Sequence, residues 1–99
     1  MTKRFAAVVD DSTPTQQNAI SEWVRDAGFG FWHYYSDLWL LVDWSNGHTT
    51  SSIRDKLRDL TSGASNIVIQ VQHPDDWAAF GNKESFEWLN TVWLGKGAP

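Results

Sequence analysis

Residues 29–44, FGFWHYYSDLWLLVDW, carry aromatic and aliphatic side chains at both odd and even positions, broken only by the polar pair Ser36-Asp37. That pattern predicts two adjacent strands joined by a tight turn. On the first strand Phe31, His33 and Tyr35 alternate with Trp32 and Tyr34; on the second Trp39 and Leu41 alternate with Leu40 and Val42. Neither face is designed for bare water, so both need cover.

The flanking pattern supplies cover for one face. Residues 5–10 (FAAVVD) form a short apolar run ending in acid, which reads as a buried central strand. Thr13, Pro14 and Gln16 predict a helix start: an N-cap, a proline at the first helical position and a capping box. Ala19, Ile20, Trp23, Val24 and Ala27 then recur at helical spacing, and Gly28 is placed to end the helix. After the turn cluster at residues 45–48, Thr49 or Thr50 caps a second helix, with Ile53, Leu57 and Leu60 as its buried stripe and Gly63 as its stop. Residues 66–72 (NIVIQVQ) alternate as a strand, with Ile67, Ile69 and Val71 on one face and Val68, Gln70 and Gln72 on the other. Beyond His73-Pro74, a helical turn is expected at 75–80. A last helix is expected from Asn82, with Phe86, Leu89, Val92 and Trp93 near one face; Gly95 and Gly97 loosen its end.

The element order β-α-β-β-α-β-α predicts an α+β, ferredoxin-like βαββαβ sandwich: a four-stranded antiparallel sheet in the order 4-1-3-2 with an extra C-terminal helix. Residues 1–99 read as one domain, with a core at about 3–73 and a C-terminal helical extension at about 74–94. Two helices cover one sheet face. The other face must be covered by the aromatic C-terminal segment or by a second molecule.

Composition narrows the function classes. Seven tryptophans give aromatic packing a large share of the core or of an interface. The absence of cysteine excludes disulfides and thiolate metal sites and fits a reducing compartment. No apolar run in the opening residues is long enough for a secretory leader or a membrane span, so a cytoplasmic protein without membrane contact is expected. A net charge of −4 and a pI near 5.1 weigh against nucleic-acid binding, which rests on clustered Lys and Arg.

Candidate chemistry is sparse. Asp10 and Asp11 could hold a hard divalent cation such as Mg²⁺, which takes one or two carboxylates and keeps its waters; the plainer reading is a strand-end acid pair shaping the turn before Pro14. His33 could act as a general acid or base, but a histidine between Trp32 and Tyr34 is more often a packed sheet residue. No histidine pair has the helical spacing of a zinc site, and no nucleophile motif is present. Asp75-Asp76 reads as favouring a helix N-terminus. Trp32, Tyr34, Trp39, Trp77, Phe80, Trp88 and Trp93 are the candidate interface residues, because aromatics on an open sheet are usually covered by a partner or by the chain itself.

Several ordered pieces resemble a known family. They are the first strand ending in Asp10 with Pro14 four residues on; Trp32-His33 and Trp39 on the hairpin; Ile53-Arg54-Asp55-Lys56-Leu57-Arg58; the valine-rich strand 67–71; and Trp77-Ala78-Ala79-Phe80-Gly81 followed by Trp88-Leu89. Together they resemble the SinR-like family of small bacterial and phage proteins, distantly similar to the small CRISPR-associated spacer-acquisition subunit. The resemblance implies a ferredoxin-like homodimer. In that broader group an aspartate ending the first strand faces its symmetry mate and holds the metal of a nuclease, and Asp10 occupies the matching position. The acidic, Lys/Arg-poor composition departs from a nuclease profile.

Three functions follow as expectations. The first is a non-enzymatic protein-interaction module without cofactor, a homodimer or bound to another protein, and, if phage-encoded, acting on a host protein. The second is a Mg²⁺-dependent phosphodiesterase using Asp10. The third, disfavoured by charge, is single-stranded nucleic-acid binding on the sheet.

Overall fold

The computed structural model describes residues 2–95. Gly97, expected to loosen the chain end, lies outside them. The elements are β1 (Lys3–Val9), α1 (Pro14–Asp26), β2 (Gly30–Tyr35), β3 (Leu38–Asp43), α2 (Thr50–Leu60) and β4 (Asn66–Val71), followed by a C-terminal helical segment. The sheet is antiparallel throughout and runs β2-β3-β1-β4. Read from the other edge this is 4-1-3-2, the ferredoxin-like order.

Local chemistry sets the helix ends. The Thr13 hydroxyl accepts from the Gln16 N–H at 3.1 Å, and the Gln16 side-chain oxygen accepts from the Thr13 N–H at 2.9 Å. The Gln16 amide also donates to the Thr61 carbonyl at 3.1 Å, tying the start of α1 to the end of α2. α2 repeats the reciprocal cap with Thr49 and Ser52. Beyond α1, Gly28 has φ +84°, the left-handed conformation that glycine adopts at low cost. Ile20, Val24, Ile53 and Leu57 are buried as the stripes require, but Ala27, last on the α1 stripe, is exposed where that helix ends.

Cross-strand register decides which hairpin face lies under the helices. Ala7 pairs with Trp39 and Phe5 with Leu41, and directly paired residues share a face. Trp39 and Leu41 therefore join Phe5, Ala7, Val9, Ile20, Val24, Ile53 and Leu57 in the main core. Each fully buried large side chain contributes about 1.5–3 kcal/mol of transfer free energy, so this face is the main source of stability.

The alternation fails at one hairpin residue. Trp32 pairs with Leu40 but Tyr35 pairs with Leu38, a register shift that puts one extra residue in β2. The bulge carries Tyr35 to the face of Trp32, away from Phe31 and His33. The Trp32 and Tyr35 rings meet edge to face, with centroids 4.9 Å apart.

A second hydrophobic cluster lies on the opposite sheet face. Val42, Leu89 and Trp93 are buried there, with Leu40, Trp44, Val71, Trp77, Phe86 and Val92 packed around them. The C-terminal segment is less regular than its apolar spacing predicts. Asn82 caps it as expected, accepting from the Glu84 N–H at 3.0 Å, but a 3-10 turn at Lys83–Phe86 leads into a wider π-helical turn at Leu89–Trp93. The helical turn expected at 75–80 is not formed. One bond, from the Asp76 N–H to the His73 carbonyl, closes a turn, and the chain then runs without regular structure. So short a helix has too few internal bonds to stand alone, and Trp77 packs on the second cluster instead.

Asp43 organises the β3–α2 connection. Its carboxylate, on a residue only 3% exposed, accepts from the Ser45 hydroxyl (2.7 Å), the Ser45 N–H (3.1 Å) and the His48 N–H (2.9 Å). Burial by itself would raise the Asp43 pKa. The Ser45 hydroxyl, the two backbone donors and the charge of His48 outweigh burial and hold it below the ordinary carboxylate value.

Candidate interaction groove on the sheet

The C-terminal segment covers only part of the second sheet face. The Trp32 indole N–H donates to the Ser85 carbonyl at 2.7 Å, in a buried bond, and Arg4 Nε donates to the Trp93 carbonyl. The Ser85 hydroxyl donates to the Asn82 carbonyl at 2.7 Å, tightening the turn that presents Ser85. These bonds fix residues 82–93 over Val42 and Leu40 and leave an open groove beside them.

The groove has a volume of about 490 Å³. Trp32, Tyr35, Leu38 and Leu40 of the hairpin form its floor together with Val71, and Trp77, Phe80, Phe86, Leu89 and Trp93 form its walls. His73 and Asp76 are its polar contributors. Phe80 is 99% exposed, the extreme case of a large apolar side chain left in water. On the same sheet face, the β1–β4 ladder presents Val8, Ile67 and Ile69, exposed by 42%, 56% and 54%. Exposed apolar side chains gathered in this way usually mark interaction surfaces.

The structure distributes the sequence candidates unevenly. Trp32, Trp77, Phe80 and Trp93 meet at the groove. Tyr34 is exposed with its ring 5.3 Å from that of Trp32, and Trp88 packs on the second cluster 5.8 Å from Trp93. Trp39 does not share this surface: it is 0% exposed beneath the helices, where register with Ala7 sends it. Tyr35, Leu38 and Phe86 were not singled out by the sequence. Tyr35 is brought in by the bulge, Leu38 by its pairing with Tyr35 at the end of the hairpin, and Phe86 by the 3-10 turn that ends on it.

His33 lies on the helix side of the sheet. Its ring stacks on Trp39, with centroids 3.5 Å apart and planes 5° apart. Nδ1 lies 3.1 Å from the Leu38 carbonyl oxygen and Nε2 lies 3.2 Å from the Gln17 side-chain oxygen. With both ring nitrogens facing protein oxygens and one ring face covered, His33 packs between the hairpin and α1 rather than facing the groove.

Asp10 and Asp11 are exposed at the end of β1 and do not line the groove. The Asp10 N–H donates to the Ser65 carbonyl at 2.8 Å, and Asp11 adopts φ 54° in the turn. Among the described residues no three His, Asp or Glu side chains gather as a metal site. Both carboxylates lie on an exposed turn, where a hard cation would complete its shell with water or with donors from a second molecule. Among the described residues no helix is long and apolar enough to cross a membrane.

No protein-family model, curated protein or solved structure matches the chain.

Proposed function

We propose that this chain is a non-enzymatic protein-interaction module whose groove receives apolar side chains of another protein. The observation that carries this is Phe80, fully exposed on the wall of a 490 Å³ groove floored by the hairpin. A volume of this size accommodates several side chains of a partner segment. Aromatic walls supply large contact area at low entropic cost. Asp76 on the lining and the net charge of −4 favour a partner with basic residues flanking its apolar ones. The resemblance to a family with phage members directs the search toward host proteins. The test is affinity capture with the wild-type chain, Phe80→Asp and Asp10→Ala. A partner retained by wild type and Asp10→Ala but lost with Phe80→Asp supports the groove; equal retention by all three removes it.

The second reading, a Mg²⁺-dependent phosphodiesterase, draws on the exposure of Asp10 at the end of β1, where a second copy could bring its own carboxylate. Metal-dependent cleavage of nucleic acid that disappears in a folded Asp10→Ala variant would support it. Cleavage that persists in that variant would sink it.

A further inference from the structure

β4 is an edge strand with none of the usual protections. It pairs only with β1, in unbroken register over Arg4–Val71 to Val9–Asn66. It contains no proline, no charged residue and no bulge, the devices by which edge strands avoid pairing with other chains. The opposite edge, β2, is interrupted by its bulge. Residues 60–74 as a whole contain no Asp, Glu, Lys or Arg, in a chain of net charge −4. Two copies of an acidic chain repel each other least along this stretch.

The side chains of β4 are also self-complementary. Antiparallel pairing of β4 with β4 of a second copy, centred on Val68, sets Val68 against its own mate. Ile67 then meets Ile69 of the second copy on the open face, and Asn66 meets Gln70 of the second copy on the helix face. The isoleucines that this pairing would bury are the ones more than half exposed in the single chain. An independent observation concerns Asn66. Its amide N–H donates to the Arg54 carbonyl at 3.3 Å, which turns Oδ1 away from that bond, and Oδ1 is buried with no hydrogen-bond partner. An orphaned buried acceptor is costly. A recess of about 180 Å³ lies beside it, between α2 and the β4 edge, lined by Thr50, Ser51, Arg54, Asn66, Ile67 and Val68. In the Val68-centred register Gln70 of the second copy lies directly opposite Asn66 beside this recess, and its main-chain N–H faces the Asn66 main-chain carbonyl across the joined edges.

We infer that the chain forms a two-fold homodimer by β4–β4 edge pairing centred on Val68, joining two four-stranded sheets into one. This surface is separate from the groove and stands or falls without it. The test is sedimentation equilibrium of the purified chain, with single-cysteine variants for register, since the native chain has no cysteine. The wild-type chain is expected to have twice the monomer mass. Ile69→Lys, at an exposed position, is expected to have the monomer mass with unchanged circular dichroism, and Phe80→Asp to remain a dimer. Under mild diamide oxidation Val68→Cys is expected to cross-link to a covalent dimer faster than Gln70→Cys, although position 70 is the more exposed. A wild-type monomer at every concentration, an Ile69→Lys dimer, or faster cross-linking through position 70 would each overturn the inference. If Val68→Cys fails to fold, the Ile69→Lys comparison decides alone.

Discussion

The indole N–H of Trp32 donates to the carbonyl oxygen of Ser85 at 2.7 Å, joining the hairpin to the C-terminal segment across 53 residues of sequence. Both residues are buried, so neither group has water as an alternative. Trp32→Phe keeps an aromatic ring but leaves the Ser85 carbonyl unsatisfied. A loss of about 1–3 kcal/mol is expected in denaturant unfolding. Amide exchange in residues 83–93 should accelerate more than in β1, because the lost bond anchors that segment alone. Equal acceleration everywhere would show that the segment does not open separately.

Gly30 is required by a close approach. A Cβ there would lie 2.5 Å from Cη2 of Trp44 and 3.1 Å from Cγ1 of Val92. Gly30→Ala is expected to cost about 1–3 kcal/mol through overpacking of the second cluster. In the double variant with Trp44→Leu the two costs should sum to more than the observed loss, because the smaller side chain removes the clash. Strict additivity, read from chemical denaturation of the four proteins, would contradict this packing.

Asp43 makes stability pH-dependent in a defined direction. Its folded pKa lies below the unfolded value, so it contributes stability above the unfolded carboxylate pKa of about 3.9. That contribution is lost as pH falls through the lower, folded pKa. Asp43→Asn is expected to lose about 1–3 kcal/mol near neutrality, where the charged acceptor matters. Its loss of stability on acidification should be shallower than that of the wild-type chain. Parallel pH profiles in thermal unfolding would contradict the role assigned to this carboxylate.

Phe80 and Trp93 both lie at the groove but should respond oppositely to truncation. Phe80 is fully exposed, so Phe80→Ala is expected to change stability by no more than about 0.5 kcal/mol. Trp93 is buried in the second cluster, and Trp93→Ala should cost about 3–5 kcal/mol. Thermal melts of the two variants check the contrast. A large loss in Phe80→Ala would mean that its ring packs on the fold and is not free for a partner.

Much of the fold was legible because its signals are local. Thr13 and Gln16 form their capping box within four residues, and the apolar spacing of Ile20 and Val24 or Ile53 and Leu57 needs only a helix to be realised. The sheet order followed from those elements and the rules of connection. What the hairpin could not reveal was its orientation. With aromatics on both faces, only pairing of Trp39 with Ala7 decides that Trp39 goes under the helices and Trp32 does not. Strict alternation puts Tyr35 on the face of Phe31, whereas the bulge moves it to the face of Trp32, and a bulge is set by the partner strand, not by neighbours in sequence. The groove was least legible of all. Its wall at residues 77–80 has no regular structure, and its position depends on the sheet it crosses.

The most direct test of the interaction groove is site-specific photocrosslinking in cells. A photoreactive phenylalanine analogue at position 80 samples the groove; the same residue at position 87, exposed on the C-terminal segment and outside the groove lining, is the control. The expected result is a discrete protein adduct from position 80 that excess wild-type chain competes away, and none from position 87. The same adducts from both positions, or none that wild-type chain displaces, would contradict the claim that this groove is where the protein acts.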